Sequence, residues 1–540
     1  MKSEMNQISL YDCTLRDGAQ MQGISFTVED KVNITLSLDK LGIHYIEGGW
    51  PGSNPKDTDF FAKARGLSLS QSKLVAFGST RRPLVSPEAD YNLQLLATSG
   101  TSTVTIVGKA SLSQVTRVLQ VDEEENLLMI HDSIQFLKNR GLEVFFDAEH
   151  FFDGFKESAK YALECIRVAF DAGADLVVLC DTNGGSMPDQ IKEGVSSVCS
   201  VRPSVGIHAH NDSEMAVANS LAAIQAGASQ VQGTINGYGE RCGNANLCSI
   251  IPNLVLKFES ECIDPRNLAQ LTNVSRLVER IVNVPSNGHL PYVGINAFTH
   301  KGGLHASGVS KWEDSYQHVP PKSVGNEKRV IVSELSGKSN LLFKAKEWGL
   351  DLSDENATKL LKRVKNLESE GMQYEGAEAS FELLCLRSSP NYQSPFRVTN
   401  YRIVIEPGQN INADTGIRAS KNGASVRLRM FKNNKWHDVP HSESEGVGPV
   451  DALSQALRKS LKYYYPDINN VELSDYRVHI LDSHHGTSAR TRVLTEFRDD
   501  ETSWWTAGVS FNVVEASLKA MIDGLEYWIY KTNLNRGTSE

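Results

Sequence analysis

The sequence predicts an α/β fold: an eight-stranded (β/α)8 TIM barrel, then a linker subdomain, then a C-terminal α+β domain with an internal duplication. The first observation is that short β-branched runs alternate eight times with longer helix-like stretches in the first half of the chain. The second is that no glycine-rich dinucleotide fingerprint follows the first run, which disfavours an open doubly wound sheet. The third is that the last part of the chain repeats a pattern of strand-like runs followed by a helix.

The barrel prediction rests on eight apolar runs, each ending in polar or glycine-rich residues. In chain order they are QISLYDC, HYIEGGW, KLVAFGS, STVTIVG, LEVFFDAE, DLVVLCDT, SVGIHAHN and QVQGTING. Amphipathic stretches such as VEDKVNITLSLDKLG and ESAKYALECIRVAFDAG lie between them, and several end in the glycine that commonly follows a helix. Eight such units in succession are typical of a closed barrel.

At 540 residues the chain is too long for one compact core, and we predict three domains. They are the barrel over residues 1–285, a linker subdomain over 286–395 and a C-terminal domain over 396–540. The linker is mixed and charged, with a helical pattern in DENATKLLKRVKNLESEG. In the last part, VRLRMF followed by DALSQALRKSL is echoed by RVLTEF followed by EASLKAMIDGL. Two β-rich halves with one helix each indicate a pseudo-symmetric domain.

Composition excludes several function classes. A net charge of −10 argues against a general nucleic-acid surface, which needs a basic face. The start of the chain lacks the apolar core of a signal peptide, and no apolar run is long enough to span a bilayer. The eight cysteines are scattered without a C-x-x-C pair, as in reduced intracellular proteins. We therefore expect a cytoplasmic protein with no nucleic-acid or membrane partner.

Polar residues follow most of the predicted strands. In a closed barrel the carboxyl ends of all strands face one mouth, where such barrels place their chemistry. The residues expected there are Arg16 and Asp17 (strand 1), Glu47 (strand 2), Glu149 (strand 5), Asp181 and Thr182 (strand 6), His208 and His210 (strand 7) and Asn244 (after strand 8). Taken alone, Asp17-Gly18 is also an ordinary turn dipeptide, with Arg16 as a solvated neighbour.

The spacing His208-Ala209-His210 indicates a metal site. Residues i and i+2 of a strand point to the same face, so both imidazoles can reach one ion, whereas a single inward histidine is more often part of the core. Asp17 would add an anionic oxygen, and Asn244 or water would complete an N/O site for a divalent metal ion such as Mg²⁺, Mn²⁺ or Zn²⁺. Arg16 would then stabilise negative charge on a substrate oxygen.

The segments TLRDGAQ, HAHND and GYGERCGNA resemble the signature motifs of the metal-dependent condensing and aldolase barrels. That family includes 2-isopropylmalate synthase, homocitrate synthase and citramalate synthase, and the first two motifs are shared by condensing enzymes and lyases. A narrower resemblance, to the long-form citramalate synthases, comes from HYIEGGWPGSNPKD, STRRP, FDAEHFFDGF and VVLCDTNGG. The resemblance covers nearly the whole chain.

The resemblance implies an acyltransferase that condenses acetyl-CoA with pyruvate to (R)-citramalate, in isoleucine biosynthesis. Arg16 would polarise the 2-oxo group, Thr182 would hold the substrate carboxylate, and Glu149 would face the methyl carbon of acetyl-CoA. The metal ligands that the resemblance implies are Asp17, His208 and His210, with Asn244 as a fourth contact.

Four other classes of protein are alternatives to this one. A 2-isopropylmalate synthase would use 2-oxoisovalerate in place of pyruvate. A lyase or aldolase would share the metal site, but GGLHASG after the barrel and the duplicated C-terminal domain argue against it. A carboxyltransferase would bring a biotin-carrier segment, which we do not find. A non-catalytic amino-acid sensor would need a vestigial mouth, yet every expected ligand type is present.

Three polar neighbours have structural interpretations. We interpret Glu47 and Asp181 as residues that orient Arg16 and the loop after strand 6, rather than as ligands. His150, next to Glu149, points to the other face of its strand and is interpreted as structural.

The segment NAFTHKGGLHASGVSKWEDSYQHVPPKSVGN follows the barrel. Its glycines at 302, 303 and 308 indicate a mobile backbone that closes over a site, and a surface loop is the alternative. The resemblance implies that it supplies His305 and Tyr316, with His305 as general acid or base. The sequence does not decide whether His305 or Glu149 removes the methyl proton.

The C-terminal repeat resembles the leucine- or isoleucine-sensing domain of these synthases. The resemblance implies an isoleucine effector and a homodimer or larger homo-oligomer, and a simple dimerisation module is the alternative. The glycine turn in EGVGPVDA precedes a helix whose N–H groups could receive a carboxylate. His484 and His485 are not predicted to bind a metal, because adjacent strand positions face apart.

Overall fold

The computed structural model describes residues 7–202, 204–284, 287–301, 305, 308–309, 311–330, 337–350, 352–389, 392–411, 418–499 and 502–537. The chain forms two compact units, one from residues 1–298 and 318–328 and the other from residues 299–317 and 329–540. In the part of the chain that is described, no helix combines the length and apolar character needed to cross a bilayer. All eight cysteines are free thiols.

The first unit is a closed barrel of eight parallel strands, which confirms the predicted fold class. The strands are β1 Ser9–Asp12, β2 Tyr45–Gly49, β3 Lys73–Ser79, β4 Thr103–Lys109, β5 Glu143–Glu149, β6 Leu176–Asp181, β7 Val205–Ala209 and β8 Gln230–Gly233. Each strand pairs with the next, and β8 closes the barrel by pairing with β1, Gly233 opposite Asp12. Each of the eight predicted runs overlaps one of these strands.

Helices connect the strands, as the alternating pattern predicts. They are α1 Val28–Leu41, α2 Pro55–Ala64, α3 Tyr91–Ala97, α4 Leu112–Gln114, α5 Glu123–Lys138, α6 Phe151–Asp171, α7 Pro188–Cys199, α8 Ala216–Gln225, α9 Leu247–Leu256 and α10 Leu271–Val282. A π-helical turn covers Val115–Leu119, and 3₁₀ turns cover Gly18–Gln20, Ile235–Gly237, Asn267–Gln270 and Pro321–Val324.

Local sequence signals explain some helix ends but not others. Helix α1 begins at a capping box between Thr27 and Asp30 and ends at Gly42, whose φ of 97° suits glycine. Helix α6 begins before the predicted amphipathic stretch, because Phe151 and Phe152 at its start are buried. Their burial is a tertiary contact that helical periodicity does not report.

The interior of the barrel contains polar as well as apolar side chains. Tyr11 of β1 is fully buried; its hydroxyl donates to Glu47 Oε2 (2.7 Å) and lies 2.8 Å from Thr105 Oγ1. Gln232 of β8 donates from Nε2 to Asp147 Oδ1 of β5 (3.2 Å), and both residues are buried. Because a buried polar group is costly unless it is paired, these hydrogen bonds fix the orientation of each side chain.

The second unit contains the predicted two-part α+β domain. Its strands are β9 Thr299–His300, β10 Arg329–Val330, β11 Phe396–Ile411, β12 Arg418–Lys432, β13 Lys435–Asp438, β14 Ser442–Gly446, β15 Glu472–Ile480, β16 Thr491–Arg498 and β17 Ser503–Ser510. Its helices are α11 Lys338–Glu347, α12 Asp354–Ser369, α13 Glu378–Leu386, α14 Pro449–Lys462 and α15 Val513–Gly537, with 3₁₀ turns at Glu313–Tyr316, Pro466–Asn470 and Ser483–Ser488. Strands β11–β14 form one antiparallel sheet followed by α14, and β15–β17 form another followed by α15.

A buried ion pair joins α1 to α2 beside the end of β2. Lys31 Nζ lies 2.5 Å from Asp57 Oδ1 and donates to the carbonyl of Gly48 (2.9 Å). Asp57 Oδ2 in turn accepts from the backbone N–H of Trp50 (2.9 Å). Burial lowers the pKa of Lys31 from its ordinary value, although Asp57 favours the charged form. The pair therefore stabilises the barrel only while both partners are present.

We expect Asp57→Ala to lower the free energy of unfolding by about 3–5 kcal/mol, because it leaves the Lys31 ammonium buried without its partner. Urea unfolding of the full chain, followed by circular dichroism, measures the loss. The matched control is the double variant Lys31→Met, Asp57→Leu, which removes both charges and should lose less stability. Equal losses in the two variants would contradict this account.

Candidate active site

Three potential metal ligands from distant parts of the sequence meet at the carboxyl end of the barrel. Asp17 lies in the turn after β1, His208 lies in β7, and His210 directly follows β7. Each offers one ligand atom, and these atoms all lie within 4.8 Å of one another. All three residues are buried. The fold thus brings together the aspartate and the two histidines that the sequence singles out.

Asn244 joins this cluster from the loop after β8. Its Nδ2 donates to Asp17 Oδ1 (2.7 Å), and its backbone forms a β-bridge with His210. Asn244 Oδ1 and His210 Nδ1 are buried with no hydrogen-bond partner among the described residues. Buried polar atoms are rarely left unpaired. A carboxylate, two imidazoles and an amide oxygen are donors that suit a divalent cation, so the residues present fit such an ion.

Neighbouring charges set the protonation of the cluster. Burial alone would raise the pKa of Asp17, but Arg16 and the two histidines overcome this effect and hold the pKa well below its usual range. Burial, with a further contribution from His208, lowers the pKa of His210 to about 4. Near neutral pH, Asp17 is therefore ionised and His210 is neutral, which are the forms that bind metal ions.

Arg16 lies between the cluster and β2. Its Nε donates to Glu47 Oε1 (2.5 Å), and its Nη1 donates to Asp17 Oδ2 (3.1 Å). The guanidinium carbon also lies 3.8 Å from the ring centroid of Phe77. These contacts fix the cation at the mouth, and they agree with the interpretation of Glu47 as the residue that orients Arg16.

Thr182 follows β6 and is held by contacts from two other loops. Its Oγ1 accepts from the backbone N–H of His150 (2.8 Å), and its carbonyl accepts from Arg241 Nη2 (2.7 Å). Arg241 also pairs with both carboxylate oxygens of Asp212 (2.7 and 2.8 Å). Because the Thr182 hydroxyl uses a lone pair toward His150, its own proton can be donated to a ligand.

Asp181 makes the loop contact that the sequence suggests, but His150 lies after the end of β5 and not on that strand. Asp181 accepts from Ser186 Oγ (2.8 Å) and so holds the loop after β6. His150 Nδ1 lies 3.1 Å from Oδ2 of Asp153, a residue of the helix that His150 precedes. Its backbone, however, contributes to the position of Thr182, which the sequence does not indicate.

Two basic residues at the mouth are not among those that the sequence predicts. Lys109, the last residue of β4, forms an ion pair with Glu149, which lies opposite it in the β4–β5 register. Both residues end their strands, so a correct prediction of the register between β4 and β5 would place them side by side. The reach of Arg241 to Asp212 and Thr182 has no comparable signal in the sequence.

A cavity of about 650 Å³ opens beside Arg16. The turn after β1 and the loop between β2 and α2 bound it, with Trp50 and the helix-capping Asn54 in its lining. Its charged lining residues are Arg16, Lys31, Lys56 and Asp57. Lys31 is paired with Asp57, and Arg16 is paired with Glu47 and Asp17. Lys56 is the lining cation without a carboxylate partner among the described residues, so an anionic group could pair with it.

His305 and Tyr316 belong to the second unit. Their rings stack, with centroids 4.2 Å apart and an interplanar angle of 17°, and both side chains are exposed. Gly302 and Gly303, which the sequence predicts to be mobile, lie outside the described residues.

Two features of the C-terminal domain differ in detail from expectation. His484 and His485 lie in a 3₁₀ turn, not on a strand, and the only group of the described residues that could hold a metal is the Asp17 cluster. In EGVGPVDA, the backbone N–H of Val447 donates to Asp451 Oδ2 (3.0 Å). The carboxylate of Asp451, a residue of α14, therefore occupies an N–H group of the turn that the sequence predicts to bind the carboxylate of a ligand.

Comparison with known families defines the class. Residues 7–278 match the HMGL-like family, residues 292–372 match the "Homocitrate synthase post-HMGL domain-like" family, and residues 375–529 match the "LeuA allosteric (dimerisation) domain". A closed barrel with an Asp-His-His cluster at its mouth, followed by these two domains, defines a condensing enzyme of the HMGL-like class.

Full-length relatives make the assignment narrower. The chain is 47% identical over 539 residues to the (R)-citramalate synthase of Geobacter sulfurreducens, covering 99% of this chain and 100% of that protein. It is 47% identical over 544 residues to the (R)-citramalate synthase of Synechocystis sp., covering 98% and 97%. A 2-isopropylmalate synthase of Methanocaldococcus jannaschii is 28% identical over 525 residues, covering 96% and 94%. The chain belongs to the (R)-citramalate synthase family, which confirms the resemblance drawn from its motifs.

A glycine beside the cluster allows a test of its geometry. A Cβ at Gly239 would lie 2.1 Å from Asn244 Nδ2 and 3.1 Å from Asp17 Oδ1. We therefore expect Gly239→Ala to displace Asn244 and to weaken Mn²⁺ binding by the metal-stripped full chain by about tenfold or more, measured by calorimetry. Gly185→Ala is the control, since a Cβ there meets nothing within 4 Å. Wild-type affinity in Gly239→Ala would show that this loop does not shape the site.

Proposed function

We propose that this protein condenses acetyl-CoA with pyruvate and hydrolyses the resulting thioester, releasing (R)-citramalate and coenzyme A, as a step of isoleucine biosynthesis. The observation that carries the proposal is the cluster of Asp17, His208 and His210 beside Arg16 at the barrel mouth. The choice of pyruvate is supported by the full-length similarity to (R)-citramalate synthases.

We propose that Asp17, His208 and His210, with Asn244 as a fourth contact, hold a divalent cation such as Mg²⁺, Mn²⁺ or Zn²⁺. Such a cation would supply Lewis-acid polarisation of the 2-oxo group. The low pKa of Asp17 and the unpaired Oδ1 of Asn244 support this assignment.

Arg16 is proposed to donate to the keto oxygen, where negative charge develops as the carbon–carbon bond forms. Glu47 and Asp17 hold its Nε and Nη1, and its Nη2 makes no hydrogen bond to a described residue. A donor that is already oriented stabilises the transition state without reorganisation. The Thr182 hydroxyl is proposed to donate to the carboxylate of the 2-oxo acid.

Removal of a proton from the acetyl methyl group begins the condensation, and Glu149 and His305 are the candidate bases. Glu149 is a carboxylate at the mouth, paired with Lys109. His305 stacks on Tyr316, and the catalytic roles of these two residues rest on the resemblance to the condensing enzymes. After the enolate carbon attacks the keto carbon, water cleaves the thioester, which makes the reaction irreversible.

The cavity beside Arg16 is proposed to receive acetyl-CoA. It adjoins the residue that we assign to the keto oxygen, so a thioester within it would lie near the second substrate. Lys56 offers its ammonium and its own backbone N–H for a phosphate oxygen, since Pro55 has no N–H and the N–H of Asp57 donates to Asn54.

Thiol release from acetyl-CoA tests the activity directly. With pyruvate, 2-oxobutyrate, 2-oxoisovalerate and 2-oxoglutarate assayed in turn, we expect kcat/KM for pyruvate to exceed that for 2-oxoisovalerate by about tenfold or more, because a pocket that fits the methyl group of pyruvate would exclude the isopropyl group. His208→Ala is the control and should lose both turnover and bound metal. A preference for 2-oxoisovalerate would instead identify a 2-isopropylmalate synthase with the same chemistry.

The second and third predicted domains are proposed to serve regulation and assembly. We propose that residues 1–285 carry out the chemistry in the cytoplasm, that residues 286–395 form a linker, and that residues 396–540 bind isoleucine and mediate a homodimer or larger homo-oligomer. The match of residues 375–529 to an allosteric dimerisation domain supports this arrangement.

We expect isoleucine to inhibit thiol release more strongly than leucine at the same concentration, because the end product of the proposed pathway is the natural feedback signal. Initial rates of the full chain at fixed pyruvate measure this effect, and mass photometry reports the oligomeric state. Stronger inhibition by leucine, or a monomer, would count against the proposal.

A further inference from the structure

Gln232 lies between a proposed metal ligand and a buried carboxyl group. It is fully buried on β8, in direct register with His208 on β7. Its Oε1 lies 2.9 Å from His208 Nδ1, and its Nε2 donates to Asp147 Oδ1 (3.2 Å). The amide oxygen of Gln232 therefore contacts an imidazole nitrogen, and its NH₂ group contacts a carboxyl oxygen.

The amide oxygen fixes the tautomer of His208. A carbonyl oxygen can only accept, so the hydrogen bond at 2.9 Å requires the proton to be on Nδ1. In the neutral ring Nε2 then carries the lone pair, and Nε2 is the atom that faces Asp17, 3.7 Å from Oδ2. The orientation of one buried amide therefore decides whether the ring can bind a metal ion.

Asp147 contacts the other end of the Gln232 amide. If the amide were reversed, its NH₂ group would face His208 Nδ1 and would require the proton on Nε2. In the observed orientation Gln232 Nε2 donates to Asp147 Oδ1 and Gln232 Oε1 faces His208 Nδ1, which leaves His208 Nε2 free.

We propose that Gln232, through its contact with His208 Nδ1, is a positioning residue that selects the Nδ1–H tautomer of His208 and so sets the affinity of the cluster for a divalent cation. This inference rests on the metal assignment in the proposed function. Outer hydrogen-bond partners of histidine ligands act in this way, and their loss typically weakens metal binding about 10–100-fold.

The test compares two buried glutamines of the same strand. Gln232→Leu removes the acceptor of the Nδ1 proton, and Gln230→Leu is the matched control. Gln230 is equally buried, lies two positions earlier on the same face of β8, and makes no hydrogen bond to any described residue through its amide. Calorimetric titration of the metal-stripped full chain with Mn²⁺ should show about 10–100-fold weaker binding in Gln232→Leu and wild-type binding in Gln230→Leu.

A tautomer measurement separates positioning from general damage to the fold. ¹⁵N NMR of histidine-labelled protein should show the proton of His208 on Nδ1 in the wild type. We expect it to remain there in Gln232→Glu, which keeps an acceptor, and to be lost from Nδ1 in Gln232→Leu or, if that chain does not fold, in Gln232→Met. Circular dichroism checks the fold of each variant.

The possible outcomes distinguish a failure of the metal assignment from a failure of the role proposed for Gln232. If the wild type does not bind Mn²⁺, the metal assignment fails and this inference fails with it. If the wild type binds Mn²⁺ and folded Gln232→Leu binds it equally well with Nδ1 still protonated, the metal assignment stands and the role of Gln232 is overturned. Equal weakening by Gln230→Leu would likewise overturn the role, because that variant does not touch His208.

Discussion

Closure of the barrel between β8 and β1 is the interaction on which the candidate site depends. The parallel pairing of these strands places the turn after β1 beside the loop after β8. Asp17 and Asn244, which are 227 positions apart, are hydrogen-bonded as a result. In an open sheet the first and last strands would be separated by the full width of the sheet, and the two ends of the cluster would not meet.

The charges at the mouth are held by the polar interior of the barrel as well as by each other. Arg16 contacts Glu47, and Glu47 is in turn bound by Tyr11 from the layer below. A guanidinium at this depth would be costly without a carboxylate partner, and the pair is stable because its remaining lone pairs are also satisfied. The same network that offsets this cost fixes the direction of the cation, which is what stabilisation of a developing negative charge requires.

Local charge, rather than net charge, matches the proposed substrates. The chain carries a net charge of −10, yet Lys56 in the cavity beside Arg16 has no carboxylate partner among the described residues. An anionic group could therefore pair with Lys56 despite the net charge. The family membership indicates which reaction occurs, and the roles proposed for Arg16, Thr182 and the Asp17 cluster describe how these residues would promote it.

The sequence by itself determined the number and order of the barrel strands and the types of residue at the mouth. Alternation of short β-branched runs with helical stretches is a local property, and so is the i, i+2 spacing that places His208 and His210 on one face. Tertiary structure decided the contacts between residues far apart: the register that pairs Lys109 with Glu149, the reach of Arg241 across two loops, and the contact between the amide of Gln232 and His208. These contacts depend on strand register and on the burial of polar groups. Neither leaves a periodic signal within a single segment, because the free energy that selects them comes from partners elsewhere in the chain.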